Sequence, residues 1–455
     1  MEPKARHRDK CERCPFWQDG HGGVVPDRIV PGARVRVVGQ NPGEDEEAAG
    51  EPFVGRTGRA LDQFLLRAGL RHDAVSLGNA IRCRWRGTNT LPPVDDARTR
   101  AAIAHCREHW HTPSGEELIV ACGDYAALAT ARIASASTGM ARPAEWRGWL
   151  VPRWDAGHRQ YRQHLKDAWV PASGDAPVLV TVHPARLFRE PALTPAAIRD
   201  WQKVKWFLAG TWPVALPEPL AQLDAWPTDC AFDTEYNPTT GALLRYSVSD
   251  GERAWVVEAD AHRVPSQPPA HVWMHNAVAD LGYLRTLTMA EPVYDDTMLL
   301  LGYLRTLMMA EPVYDDTMLL HSVLASDLPH DLDYLGSLYA PYNRWKHLVD
   351  IAPRRYAGGD AAGTWHIAQA LLAQLAFDPG STYVYRHSVL PLVPHIVKAQ
   401  QHGLRVNQAR VTTVLNQVRQ RCDQAKEQAR AATGIPTFNV GSPAQVAEWL
   451  YSIET

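Results

Sequence analysis

The chain has no run of apolar residues long enough to span a bilayer, and its first residues, Met1-Glu2-Pro3-Lys4-Ala5-Arg6, lack the apolar core of a secretion signal. The expectation is a cytoplasmic protein with no membrane partner. An excess of charge is also missing. Lys+Arg total 47 against 50 Asp+Glu, a net charge of −3, so a globally basic surface is excluded and any nucleic-acid site must be a local patch. Cysteine is sparse and odd in number, seven in 455 residues. Without a secretion signal that pattern speaks for thiolate or metal chemistry and against a disulfide framework. What is present is the mixed composition of a soluble globular protein, long enough for two or three domains.

The chain is organised around the loop Gly39-Gln40-Asn41-Pro42-Gly43-Glu44. It follows Val35-Arg36-Val37-Val38, an apolar β-branched run that reads as a buried strand. A second Gly-rich stretch, Glu51-Pro52-Phe53-Val54-Gly55-Arg56-Thr57-Gly58, leads into an amphipathic run with Leu61, Phe64, Leu65 and Leu70 on one side. That spacing predicts a helix starting near Thr57. Strand, tight loop and helix together form a pocket at the carboxyl end of a sheet, beside an anion-friendly helix N-terminus.

Cys11-Glu12-Arg13-Cys14 is a Cys-x2-Cys pair, and Cys83 and Cys106 follow in basic surroundings. This 2+1+1 pattern suits a tetrahedral metal centre or an iron–sulfur cluster. The segments come in a fixed order: Cys11-x2-Cys14-Pro15, Gly39–Glu44, Gly50–Gly58, Asn79-Ala80-Ile81-Arg82-Cys83-Arg84, Cys106, Val120–Ala126, and Thr181-Val182-His183-Pro184-Ala185-Arg186-Leu187. In that order residues 1–210 resemble the family-4, iron–sulfur uracil-DNA glycosylases. The resemblance implies a [4Fe–4S] cluster on Cys11, Cys14, Cys83 and Cys106, with Cys122 left in the core. It implies that Phe53 stacks on a flipped uracil, that Asn79 reads its polar edge, and that His183 stabilises the departing base. Arg186 would contact phosphate and Leu187 would act as a wedge. Two adjacent positions depart from the family, which usually has Glu where Gln40 stands and a small residue at Asn41. Gln40 and Asn41 can orient a catalytic water but cannot take its proton. The chain between Cys83 and Cys106 and the stretch Thr112–Asp175 are longer than the family pattern, and the latter, enriched in Trp146, Trp149, Trp154 and Trp169, reads as a packed insertion.

Residues 211–228, beginning Thr211-Trp212-Pro213, read as a Pro-rich linker. Beyond it, Cys230-Ala231-Phe232-Asp233-Thr234-Glu235-Tyr236 is a short strand that puts Asp233 and Glu235 on one face, a pairing suited to hard divalent cations. Asn276/Asp280 and Tyr356/Asp360 are each i, i+4 pairs that share a face if helical. The ordered set, from about Asp229 to Leu375 within an expected domain of 229–390, resembles the DEDDy 3′–5′ exonuclease domain of family A DNA polymerases. The resemblance implies two Mg²⁺ or Mn²⁺ ions roughly 3.5–4 Å apart on Asp233, Glu235, Asp280 and Asp360, with Tyr356 orienting water and Asn276 near the substrate. Within this region Leu281–Leu300 and Leu301–Leu320 are the same twenty residues except at Thr288 and Met308. A tandem duplication or an assembly error accounts for it equally well, and the middle of the repeat is expected to bulge from the fold.

In 391–455, His395–Gln424 reads as a polar helix broken at Gly403–Asn407, and Ser442-Pro443 as the start of another. Both resemble the entry into a family A polymerase domain, truncated before any palm region. The expected architecture is α/β: a three-layer glycosylase-like sandwich, an RNase H-like exonuclease domain and a short α-helical C-terminal segment. The expected activity is uracil excision or recognition together with 3′–5′ proofreading, on uracil-containing DNA and on single-stranded or frayed 3′ ends, in a viral or bacterial replication setting with a polymerase domain as partner. Two rivals remain: a non-catalytic uracil-binding module, and an RNase D-like RNA exonuclease.

Overall fold

The computed structural model describes residues 11–17, 23–85, 91–110, 115–133, 143–156, 164, 166–172, 174–260, 265, 269–289, 313–403 and 405–452. The apolar run at the start of the chain forms β1 (Val35–Gly39), followed by β2 (Ser76–Asn79), β3 (Leu118–Cys122), β4 (Leu150–Val151) and β5 (Val178–Thr181). They make one sheet in the order β2-β1-β3-β5-β4, parallel except for β4, which runs antiparallel to β5. Its strands are buried on both faces, as parallel strands require. Val35, Val37, Leu118, Val120 and Leu179 meet the helices Arg56–Arg67 and Thr194–Leu208 through Leu61, Phe64, Leu65, Trp201 and Val204. Val38, Ile119, Ala121, Val178 and Val180 point the other way, into a second core. The helix expected near Thr57 begins at Arg56, and a short helix the sequence reading did not separate, Glu44–Ala49, precedes it.

The second sheet contains β6 (Pro219–Leu220), β7 (Asp229–Tyr236), β8 (Leu243–Ser249), β9 (Ala254–Glu258), β10 (His271–Met274) and β11 (Val313–Asp316), ordered β11-β10-β7-β8-β9-β6. The 23-residue helix Pro353–Leu375 packs across β7, β8 and β9. Here the Pro-rich stretch differs from its reading as a bare linker. Trp212, Leu216 and Leu223 are buried, and Pro219–Leu220 pairs with β9 as a sheet edge, a position that tolerates proline.

The second core of the first sheet continues without a break into Leu335, Trp345, Ile367 and Leu371 beside the second sheet. Met1–His395 is therefore one compact unit. The first copy of the repeat continues the helix Ala277–Met289, and the second supplies β11 and the start of the helix Thr317–Leu324. The stretch between them, where the bulge was expected, lies outside the described residues. A second unit, Ile396–Thr455, contains the helices Gln408–Thr433 and Pro443–Ser452. Asn407 caps the first by accepting from the Arg410 N–H at 3.0 Å, Gly434 closes it at φ 69°, and the chain breaks before it as the sequence predicts. Among the described residues no helix is long and apolar enough to cross a membrane.

Candidate functional site

β1 and β2 run parallel with Gly39 opposite Asn79, so the loops that follow them open at the same edge of the sheet. Glycine is needed at 39 because a Cβ there would lie 2.6 Å from Phe53 Cζ and 2.7 Å from Asn79 Oδ1. Phe53 is buried with φ 60°, a left-handed backbone that a bulky residue adopts only when its surroundings impose it. The cleft has a volume of about 720 Å³, and Gln40, Asn41, Phe53, Asn79, His183 and Arg186 all line it. Asn41 turns its amide onto its own loop, donating to the Pro42 carbonyl at 3.0 Å.

His183 follows β5 directly. Its Nδ1 accepts from the Ala185 backbone N–H at 3.2 Å, which places the proton of the neutral imidazole on Nε2. Burial lowers its pKa to about 4, with Arg189 adding to the effect, so the ring is neutral at physiological pH. Arg186 is half exposed and donates to both Glu190 carboxylate oxygens, at 3.0 and 2.8 Å. Leu187 is partly buried against the first core. Its neighbour Phe188 is the exposed one, at 43%, with the Arg56 guanidinium 4.0 Å above its ring.

Two carboxylates that line the cleft were missed from the sequence. Glu46 is buried and accepts from the Gly43 and Gly55 backbone N–H groups, each at 3.0 Å, so it ties the two Gly-rich stretches together. Asp124 opens the helix after β3; burial raises its pKa, against an opposing pull from Arg186. The only sequence signal for either is an acidic residue in the first turn of a helix.

The four cysteines expected to act together are gathered beside this domain. Burial raises the pKa of the Cys83 thiol, and Cys106, Cys14 and Cys11 raise it further by their proximity. Cys106 is pushed up to about 12, chiefly by burial. Cys14 and Cys106 sit in an apolar cluster with Phe16, Ile81, Leu91 and Ile103. Four neighbouring thiols, those of Cys14 and Cys106 buried and those of Cys11 and Cys83 partly so, with Arg82 and Arg98 close enough to favour thiolates, fit a metal–sulfur group. Cys122 lies fully buried in β3.

In the second sheet the ligand oxygens of Asp233, Glu235 and Asp360 all lie within 4.8 Å of one another. Burial raises the Asp233 pKa strongly, with Asp280 and Asp360 adding repulsion, and its Oδ2 is buried without a hydrogen-bond partner. An orphaned carboxylate oxygen in a crowd of carboxylates fits a hard divalent cation. Asp280 accepts from Thr234 Oγ1 at 2.5 Å, and burial raises its pKa to about 8. Tyr356 and Asp360 share a face of one helix, as their spacing predicts, and Lys346 bridges them: its Nζ lies 2.7 Å from Tyr356 Oη and 2.9 and 2.7 Å from the Asp360 oxygens. Trp345 donates its indole N–H to Asp360 Oδ1 at 2.6 Å. Neither Trp345 nor Lys346 was found from the sequence, because no motif marks them. Asn276 differs from its reading as a helical residue. It stands one position before the helix at φ 72°, where its N–H and that of Ala277 point to the Asp316 carboxylate, at 3.4 and 2.6 Å.

Residues 26–209 match the family model described as the uracil DNA glycosylase superfamily. Over those residues the chain resembles that superfamily. The chain is similar to the type-4 uracil-DNA glycosylase of Pyrobaculum aerophilum, 28% identical over 186 residues that cover 40% of this chain and 82% of that protein. It is 34% identical to the Thermotoga maritima type-4 enzyme over 97 residues, covering 21% of this chain and 50% of that one. The match to the Sulfurisphaera tokodaii enzyme is 37% over 90 residues, 20% and 40% of the two chains. The chain thus spans half or less of the length of the last two relatives. Among solved structures, Escherichia coli RNase D matches at 16% identity and TM-score 0.27, over 40% of this chain and 47% of that one. A structure described as the apo form of the nuclease matches at 17% and TM-score 0.29, over 38% and 85%.

Proposed function

We propose that the glycosylase-superfamily domain releases uracil from DNA and that the region from Asp229 onward trims DNA 3′ ends with divalent cations. The first reading is carried by the buried, neutral His183 with its proton on Nε2, lining the same cleft as Phe53 and Asn79. A flipped uracil would lie against the Phe53 ring, and the Asn79 amide would donate to O4 and accept from N3–H. The glycosidic bond breaks with its electron pair passing to the base, and the Nε2–H of His183 stabilises the negative charge that develops at O2. Gln40 and Asn41 orient the attacking water. Its proton goes to Asp124, whose raised pKa makes it a better base than an ordinary aspartate. Glu46 stays engaged with two backbone amides and holds the loop in shape.

Cys11, Cys14, Cys83 and Cys106 would hold a [4Fe–4S] cluster, pinning the N-terminal segment to the loop after β2 and to the helix Ala97–Trp110. In the second site Asp233, Glu235, Asp280 and Asp360 would hold Mg²⁺ or Mn²⁺. Such ions, when bound, supply activation of water and charge neutralisation at a scissile phosphate. Burial keeps the Tyr356 hydroxyl protonated, and its oxygen accepts from Lys346, so its own proton is left to orient a water. The likeness of Phe438–Tyr451 to the entry of family A polymerases supports proofreading as the setting.

The test is uracil release from a single-stranded oligonucleotide, followed by alkaline cleavage of abasic sites, for wild type, His183→Ala and Asp124→Asn. Loss in both variants supports the catalytic reading. Tight uracil binding with no release by the cluster-loaded wild type supports a recognition module instead. Degradation of 3′-labelled DNA and RNA tests the second site, and a strong preference for RNA would replace proofreading with RNA trimming.

A further inference from the structure

The loop between the helices Leu332–Tyr339 and Pro353–Leu375 faces two ways. At one end of it Asn343, buried, is bound to the edge strand β4: its Oδ1 accepts from the Leu150 N–H at 3.0 Å, and its Nδ2 donates to the carbonyls of Leu150 and Trp169 at 3.0 and 2.9 Å. Two residues on, Trp345 holds Asp360, and Lys346 holds both Asp360 and Tyr356. The Trp345 ring is fully buried, and Trp149, the residue just before β4, meets it edge to face at 5.9 Å between centroids and 79° between planes. The fit is close from the other side as well, since a Cβ at Gly363 would come within 2.6 Å of the Trp345 ring.

The β4 segment is stitched down on both flanks. Lys203 Nζ, fully buried, donates to the carbonyls of Gly148 and Ser337, each at 2.7 Å. Arg147 pairs with the buried Asp200 at 2.9 Å and donates to Ser337 Oγ. Segment 147–150 lies in the first region, within the stretch that reads as an insertion, and besides Asp200, Lys203 and β5 of that region it meets Ser337, Asn343 and Trp345 of the other.

We propose that this insertion is a working part of the exonuclease centre. In this proposal Trp149 and β4 form its rear wall and fix loop 340–348, so that Trp345 and Lys346 present their hydrogen bonds to Asp360 and Tyr356. Trp149 is then a positioning residue for a reaction carried out in the neighbouring region. A ligand carboxylate whose indole partner is free to tilt samples several orientations, and tight cation binding needs one of them. The proposal rests on reading the carboxylate group as a cation-dependent exonuclease site.

The experiment uses the full chain and compares wild type with Trp149→Ala, Trp149→Phe, Asn343→Ala and Trp345→Phe. Mn²⁺ affinity is measured by electron paramagnetic resonance, kcat and KM on a 3′-labelled single strand, and folding by thermal melting without metal. Trp149→Ala, Asn343→Ala and Trp345→Phe are expected to weaken Mn²⁺ binding about tenfold, in the range found for partners of metal ligands, and to lower kcat with little change in KM. Trp149→Phe, which keeps an aromatic edge, should restore most of both. Should Trp149→Ala fail to fold, Asn343→Ala and Trp345→Phe decide. Unchanged Mn²⁺ affinity and kcat in folded variants would overturn the proposal while leaving the exonuclease reading intact. A wild type that neither binds Mn²⁺ nor trims 3′ ends overturns both.

Discussion

The two centres of this molecule treat buried ionisable groups in opposite ways. The cleft at the edge of the first sheet holds His183 neutral by desolvation, with its Nδ1 accepting from a single backbone N–H. The carboxylate centre crowds Asp233, Glu235, Asp280 and Asp360 together, with Lys346 and Trp345 as fixed donors and one oxygen left without a partner. On the proposed reading the first site acts by removing charge from a group and the second by holding divalent cations, so that one chain would run two chemistries, one indifferent to divalent ions and one dependent on them.

The widest split should come from chelation. EDTA, or Asp233→Ala, is expected to reduce 3′-end degradation by more than about 10³-fold, while uracil release stays within about twofold of wild type. Equal losses in the two assays would erase the distinction. The converse change, His183→Ala, should lower uracil release by about 10²–10³-fold, the scale of a lost transition-state donor, and leave 3′ trimming alone.

Stability against pH should separate the centres by sign. The pKa of Asp280, raised to about 8 when folded, gives the metal-free protein stability that is fully present below the unfolded value near 4 and is lost as pH rises through about 8. The His183 pKa, lowered to about 4, gives stability that is present above the unfolded value near 6.5 and is lost as pH falls through about 4. Melting curves should show Asp280→Asn flattening the alkaline slope and His183→Asn the acidic one, by a few kcal/mol at most. The smallest effect belongs to Arg186→Ala. Its ion pair with Glu190 is half exposed, so stability should change by less than about 1 kcal/mol, while the salt dependence of DNA binding should lose about one phosphate contact.

What could be read from the sequence was what repeats locally. The Val35–Val38 run, the helix after Gly55, the alternation of Asp233 and Glu235 and the four-residue step from Tyr356 to Asp360 each follow from a strand or helix period, and the structure places them accordingly. The backbone of Asn276 was misread as helical because its left-handed conformation is fastened by Asp316, forty residues on. Trp345 and Lys346 escaped because they act from a loop with no periodicity. The Pro-rich stretch after Thr211 signalled turns correctly, but composition cannot say that Trp212 and Leu216 would be buried. Asp124 was hidden as one acidic residue at a helix start among many.

The core that runs unbroken from Val38 and Ile119 to Trp345 and Leu371 has a consequence for how the molecule opens. Amides deep in the first sheet can exchange with solvent only when that shared interior comes apart, so their slowest exchange reports on the whole unit rather than on that sheet alone. On the proposed reading, an ion bound by the carboxylates of the second sheet would stabilise the same closed state by mass action. Adding Mn²⁺ should therefore slow hydrogen–deuterium exchange at Val38 and Ile119, which lie in that shared core.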